Sequence, residues 1–395
     1  MRMFFLELKK LWNWKTTAAI LAILVLYFSL FLWHDITRIK QLKTGDEMSP
    51  MMDFALYEEL LDRYGTVITS DEILDFGIDE KIQALIDRVD AIIATDESGV
   101  FAKYGIGNYE ELYSTDWRMI GSEELDAMII GGETAIRNLS IQLSLLGDIK
   151  QRYGTNSSRS RRADDTAFVY ARELKAREER SIMPYYIPYE LSGYFAMLTI
   201  LCVICALILA LPLVTTDHAR KVHLLLYSSS YGRKILRTQF AAVIISAFAM
   251  SLIFTGFSCA AYAALNTQIF RDASIVSFWG QAFFMYGVSY GQYAMLLAVM
   301  PVVFSVAVAC MGFVLSRFSD SYVKLSIKAV PAGVAGVILG YSSVSVALSS
   351  ENFIFNLLGR KLPVPEIWLC AIALAVGVIV AAIVVAREKC VDVMS

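Results

Sequence analysis

The stretch LSGYFAMLTILCVICALILALPLV, residues 191–214, contains no charged residue and decides the fold class of this chain. A helix needs about 20 apolar residues to cross about 30 Å of hydrocarbon, and this run is long enough. Further apolar runs of comparable length occupy residues 16–33, 240–265, 294–315, 325–348 and 367–385. The interior of a bilayer offers no water to the backbone, so such runs must be helices. We therefore predict an all-α polytopic membrane protein with six transmembrane helices.

The composition and the first run agree with this prediction. Over 395 residues the chain is 56% hydrophobic and 18% charged, whereas soluble proteins have about 45–50% apolar and about 25% charged residues. The run at 16–33 is longer than the apolar part of a cleaved signal peptide, and no small-x-small cleavage site follows it. We predict that it is retained as transmembrane helix 1.

Lys and Arg residues in short loops indicate the orientation, because they concentrate on the cytoplasmic side. Fourteen of them lie in the N-terminus, the loops after the second and fourth runs, and the tail 387–395, against three in the short loops on the other side. Both termini are thus predicted to be cytoplasmic in a cell membrane, with residues 34–190 outside.

Residues 34–190 form the predicted extracytoplasmic domain, which has 18 basic and 30 acidic residues and no cysteine. Apolar positions recur at helical spacing in 54–61, 82–93 and 129–146, so we expect a mostly helical domain. Its negative charge would attract cationic peptides at long range. The alternative is that the charge only keeps an exposed domain soluble.

The N-terminal segment 1–15 has the pattern of an amphipathic helix that lies in the membrane interface. Its apolar residues fall on one helical face, and charged residues such as Glu7 and Lys10 occupy the rest. The apolar face consists of Phe4, Phe5, Leu8, Leu11 and Trp12. The alternative, a positive flank that only fixes the topology, explains the lysines but not the apolar face.

The chain lacks several signatures of chemistry. The apolar runs contain almost no ionisable residue, which argues against an ion-coupled carrier; Lys328 lies near a helix end, where it can reach the interface. There is no G-x-x-x-x-G-K-[ST] phosphate loop, and His34, His218 and His223 have no metal-ligand spacing. We expect no enzyme activity, no catalytic residue, no metal site and no nucleic-acid partner.

Two further patterns are candidates for function. The cytoplasmic loop 215–239 exposes a short apolar helix, 222–227, between charged flanks, and such a patch is suited to a protein partner. Small residues line the fifth helix at Gly333, Gly336, Gly340 and Ser342. Small residues allow membrane helices to approach closely, so they indicate internal helix packing, a dimer contact or the wall of a pathway.

In this layout the chain resembles the permease subunits of ABC-2 type exporters, the six-helix class of ATP-binding-cassette transporters. The resemblance implies that 1–15 is an elbow helix, that 191–386 holds helices 2–6, and that the loop after the second helix docks on the ATPase. The coupling residues that it implies are Asp217, Arg220, Lys221, Leu224, Leu225, Tyr227, Gly232 and Arg233. The family loop often has Glu where Asp217 stands, and Lys where Gln239 stands.

The resemblance also implies the partners. ATP and Mg²⁺ would bind to separate ATPase subunits, and this chain would hold no cofactor. The active unit would contain two permease chains, identical or paralogous, in contact with membrane lipid. The transported substrate would be a peptide or a lipid.

Two alternatives remain open at this stage. Mechanotransmission-type transporter subunits also carry a large outer domain after the first helix, but they resemble four-span chains. A membrane receptor or immunity protein would bind a ligand with its outer domain, and it would not need the apolar patch in loop 215–239.

The topology can be tested by labelling single cysteines introduced at Ser158 and Ser229, with Cys390 in the tail replaced by serine. A membrane-impermeant maleimide added to intact cells should label the cysteine at 158 and should reach the one at 229 only after lysis. Labelling of both positions from the same side would contradict the predicted orientation.

Overall fold

The structure is a computed structural model, and it describes residues 2–34, 36–37, 54–96, 99–114, 136–154, 181–184, 186–219, 232–275, 288–345 and 365–387. The regular elements in these residues are helices. Six helical segments are long and apolar enough to cross a membrane, which confirms the predicted six-span, all-α fold for the described residues. We number them spans 1 to 6: Trp14–Leu32, Ile187–Asp217, Ile235–Ala263, Tyr290–Arg317, Tyr322–Val344 and Glu366–Arg387.

The described residues fall into two compact units. The membrane unit contains the N-terminal helix Arg2–Leu11 and the six spans. The intervening unit lies between spans 1 and 2 in the sequence. Its helices are Phe54–Tyr64, Ser70–Asp75, Ile78–Ala94, Val100–Lys103, Tyr109–Ser114 and Ile136–Gly154.

The helices of the membrane unit extend beyond the apolar runs at several ends. Span 1 consists of the α-helix Trp14–Tyr27 and a π-helical turn, Phe28–Leu32. Span 2 combines the helices Tyr186–Ala210 and Pro212–Ala219, which meet at Leu211. The remaining helices of this unit are Gly232–Ala263, the 3₁₀ turn Thr267–Phe270, Tyr290–Arg317, Tyr322–Val344 and Pro365–Arg387.

The intervening unit has a hydrophobic core of its own. Val89 and Ile93 pack with Phe101, Leu112 and Leu139 from three other helices, and all five side chains are buried. Glycines lie at helix ends in this unit: Gly65 and Gly99 adopt positive φ, and the helix from Ile136 ends at Gly154. Residues 115–135 and 155–180, which include part of one predicted helical run, lie outside the described residues.

Spans 2 and 4 form the centre of the membrane unit, since 67% and 56% of the residues in an apolar 18-residue stretch of each are buried. Span 4 packs against spans 3, 5 and 6. Span 2 is tied to its neighbours near its start: the Ser192 hydroxyl donates to the Val344 carbonyl at 2.8 Å, and the Tyr194 hydroxyl donates to the Ser258 carbonyl at 2.9 Å. In hydrocarbon, such hydrogen bonds satisfy side-chain polar groups that would otherwise lack partners.

The glycines of span 5 face other spans of the same chain. A Cβ atom at Gly333 would lie 3.1 Å from Leu207, and one at Gly340 would lie 3.1 Å from Thr199, both in span 2. Gly336 faces Val203 and Val308 at ordinary contact distance, and Ser342 is half-buried in the last turn. The stripe thus packs within the membrane unit, which is one of the three alternatives that its sequence left open.

Among the described glycines of the spans, the one with the shortest contact to another helix is a glycine that the sequence did not single out. A Cβ atom at Gly377 in span 6 would lie 2.7 Å from the carbonyl oxygen and 3.2 Å from the Cα atom of Ala307 in span 4. Both are backbone atoms, so they cannot move aside as a flexible side chain could. Spans 4 and 6 therefore touch backbone to backbone at this position.

We expect Gly377→Ala to lower the free energy of unfolding by about 1–3 kcal/mol, because the added methyl group must push two helices apart. Gly256→Ala is the matched control, since no atom lies within 4 Å of the position of its Cβ in span 3. Alanine also favours a helix over glycine, so the control should be neutral or stabilising. Thermal unfolding in detergent measures the stability of both variants. Equal unfolding midpoints for Gly377→Ala and Gly256→Ala would contradict the close approach of spans 4 and 6.

Candidate functional site

Four polar side chains from three distant parts of the sequence meet at one end of the membrane unit. Glu7 and Lys10 lie one turn apart in the N-terminal helix. Asp217 lies in the helix Pro212–Ala219 at the end of span 2, and Gln239 lies in the first turns of the helix that contains span 3. We call these four residues the polar junction.

Two donors of the polar junction each contact both carboxylates. The Lys10 ammonium lies 2.9 Å from Glu7 Oε1 and 3.4 Å from Asp217 Oδ2. The amide of Gln239 donates to Glu7 Oε2 at 3.1 Å and to Asp217 Oδ2 at 2.9 Å. A glutamine amide has two N–H donors, so it can serve two acceptors at once.

Burial makes these contacts strong. Glu7, Asp217 and Gln239 are 3%, 8% and 2% exposed. A buried carboxylate without partners would be costly, and the shared donors offset that cost. Burial lowers the pKa of Lys10, but hydrogen bonds and charge attraction from Glu7 and from Asp217 outweigh it. The pKa of Lys10 is therefore raised above its ordinary value, and this side chain stays charged.

The end of span 2 is also fixed to spans 4 and 5. The Ser316 hydroxyl in span 4 accepts from the backbone N–H groups of Val214 and Thr215 at 3.1 and 3.0 Å. The Thr215 hydroxyl donates to the Ser316 carbonyl at 3.1 Å. One residue further on, the hydroxyls of Thr216 and Tyr322 are 2.9 Å apart, which joins span 2 to the start of span 5.

The N-terminal helix has a second attachment to span 3. The indole N–H of Trp12 donates to the Ser246 hydroxyl at 3.1 Å, about two turns beyond Gln239. Leu11 is buried on the same side of the helix as Glu7, whereas Phe5 is exposed. The face that packs on the membrane unit is thus shifted from the predicted apolar face toward Glu7.

Of the predicted coupling residues, Asp217 is the one that joins the polar junction. Gly232 begins the helix into span 3, and nothing is described of the side chain of Arg233. The remaining five lie outside the described residues: Arg220, Lys221, Leu224, Leu225 and Tyr227. The two ends of the predicted coupling loop are therefore described, and its apolar patch is not.

The sequence did not identify Glu7 or Gln239 as site residues. Glu7 is the one acidic residue before span 1, and in a helical projection it borders Leu11 and Phe4, which is a usable signal. Glu366 was also missed: the last helix begins two residues before the apolar run, and this side chain is fully buried. A carboxylate is favourable at a helix N-terminus.

The polar junction is suited to mechanical connection rather than to catalysis. It joins three helices through short contacts and contains no nucleophile paired with a base. Among the described residues no cluster of three or more His, Cys, Asp or Glu side chains is placed to hold a metal ion. Comparison with models of protein families, with characterised proteins and with solved structures finds no match to this chain.

We expect Lys10→Met to lower the free energy of unfolding by about 1–2 kcal/mol, because two buried carboxylates then share one neutral donor. Lys9→Met is the control, since Lys9 is exposed one residue away. A raised pKa means that the contribution of Lys10 is present below about pH 10.5 and is lost as the pH rises through its folded-state pKa. Unfolding midpoints that match between the two variants at pH 7 would contradict this role.

Proposed function

We propose that this chain is the permease subunit of an ATP-binding-cassette exporter and that a separate ATPase subunit docks on the loop between spans 2 and 3. The observation that carries the proposal is the contact at the base of this loop. The amide of Gln239 and the carboxylate of Asp217, one on each side of the loop, are 2.9 Å apart. The layout of six spans after an amphipathic N-terminal helix agrees with the same class.

The contact at the base of the loop explains how a force on the loop would reach the spans. Both described ends of the loop are held, so a force applied to the loop would be passed on to Asp217 and Gln239. Asp217 is held by the N-terminal helix, and its neighbours Thr215 and Thr216 are held by spans 4 and 5. A partner that moves the loop thus acts on the N-terminal helix and on spans 2, 3, 4 and 5 together.

The apolar patch Leu224–Tyr227 would supply the buried contact with the ATPase, and Arg220, Lys221 and Arg233 would fix its register at the rim. ATP and Mg²⁺ would bind to the ATPase. Two permease chains, identical or paralogous, would form the active unit with two ATPase chains. The substrate, a peptide or a lipid, would pass between the spans.

One observation favours a second candidate, a receptor or immunity protein. The intervening unit has its own hydrophobic core, so it has the internal packing that an independent ligand-binding domain requires. In that case the loop between spans 2 and 3 would have no ATPase partner. The experiment below separates the two candidates.

We expect Leu225→Asp to release the ATPase, because a charge without a partner in a buried contact costs about 3–5 kcal/mol. The control is Phe318→Asp, which places the same charge at an exposed apolar residue beside the other loop at this end, between spans 4 and 5. Both variants and the wild type are purified by a tag on the permease, and the ATPase that co-purifies is measured.

A second arm of the same experiment tests the role of the polar junction. Gln239→Met keeps the size of the side chain and removes the bridging amide. We expect this variant to retain the ATPase but to lose most of the dependence of ATP hydrolysis on the permease. If Leu225→Asp retains a fully active ATPase, or if no ATPase accompanies the wild type, the permease proposal is wrong and the receptor candidate is favoured.

A further inference from the structure

A groove of about 560 Å³ lies beside the polar junction in the membrane unit. One wall is the segment that connects the N-terminal helix to span 1, residues 10–16. The other wall is formed by the end of span 2, and Tyr322 closes it at the start of span 5. The groove therefore opens at the end of the spans where basic residues are concentrated.

The lining of the groove is divided between an apolar and a polar part. Leu11, Leu209, Pro212 and Leu213 provide the apolar surface, which continues into the spans. Polar groups of the N-terminal segment, including Asn13 and Lys15, lie along the other part. A molecule that fills the groove must carry an apolar chain at one end and a polar group at the other.

Charge at the groove favours an anionic group. Two cations, Lys10 and Lys15, and one carboxylate, that of Asp217, line the groove. Asp217 lies 3.4 Å from the Lys10 ammonium and accepts from the Gln239 amide. Lys15 is exposed, has no carboxylate within ion-pair distance among the described residues, and lies 5.9 Å from the centre of the Trp14 ring. One cation is thus left over at the mouth of the groove.

The positions of Trp14 and Tyr322 also favour a ligand with an anionic headgroup at the mouth of the groove. Trp14 is 76% exposed and Tyr322 is about half exposed, so both rings stand at the margin of the spans. Tryptophan and tyrosine side chains are favourable at the level of lipid headgroups. Basic pockets between transmembrane helices bind the headgroups of anionic lipids.

We propose that this groove binds an anionic phospholipid of the adjacent leaflet, with the phosphate at Lys15 and an acyl chain along Leu209 and Leu213. The bound lipid would fill the space between the start of span 1 and the ends of spans 2 and 5. It would also contact the residues that flank Asp217 and would thus stabilise the polar junction. The proposal depends on the six spans and not on the presence of an ATPase.

The test is a titration of the full-length protein in a neutral detergent, followed by native mass spectrometry. The probes are phosphatidylglycerol and phosphatidylcholine with identical acyl chains. We expect the wild type to bind phosphatidylglycerol more tightly than phosphatidylcholine. Lys15→Gln removes one cation, so it should weaken the binding of phosphatidylglycerol by about fivefold and leave the binding of phosphatidylcholine unchanged. Lys15→Arg keeps the charge and should retain the preference.

Lys9→Gln is the matched control, because Lys9 is an exposed lysine of the N-terminal helix outside this groove. It should change the affinity for phosphatidylglycerol by less than twofold. Three results would overturn the proposal: equal affinity of the wild type for the two lipids, equal losses in Lys9→Gln and Lys15→Gln, or loss of the preference in Lys15→Arg. None of these results depends on the outcome of the ATPase experiment.

Discussion

Hydrocarbon offers no hydrogen-bond partner, and this constraint determines where polar side chains occur in the membrane unit. Several of their contacts between spans lie near the ends of the spans. Ser192 bonds to the backbone of span 5 near one end, and Thr215 and Ser316 bond to each other's segments near the other. The Lys328 ammonium reaches the Phe318 carbonyl at 2.6 Å and so serves a helix C-terminus. Between these ends the described contacts of the spans are chiefly apolar side chains and close glycine contacts, with the Ser305 hydroxyl of span 4 donating to the Ala247 carbonyl of span 3 at 3.5 Å.

In the polar junction the buried polar groups also satisfy one another, but they are mainly charged groups instead of hydroxyls. Two carboxylates are buried close together, a single ammonium lies between them, and a neutral amide supplies the remaining donors. With all groups ionised the cluster carries one net negative charge. The loss of either donor would therefore leave two buried carboxylates with fewer partners. The contacts of the junction hold the N-terminal helix against the end of span 2 and the start of the helix that contains span 3.

The sequence predicts the spans well because hydrophobic length is a local property. The helices of the intervening unit were also predictable, since their apolar spacing and their glycines are local. The polar junction was not, because Glu7 is separated from Gln239 by 232 residues and Lys10 from Asp217 by 207. Similarly, Gly377 stands alone in its span, whereas Gly333, Gly336 and Gly340 form a visible repeat. A repeat can be seen in a sequence, but the partner of one glycine depends on how the helices are arranged.

The separation of Glu7 from its partners has a consequence for biosynthesis. The N-terminal helix leaves the ribosome before its partners, and at about 5–20 residues per second Gln239 follows Glu7 roughly 10–50 s later. During most of that interval Glu7 and Lys10 lack their partners in the polar junction, Asp217 and Gln239. The N-terminal helix can dock fully only after spans 2 and 3 have been inserted. Its docking is therefore a late step of assembly, and a nascent chain that stalls before Gln239 exposes a charged helix to the chaperones and proteases of the membrane surface.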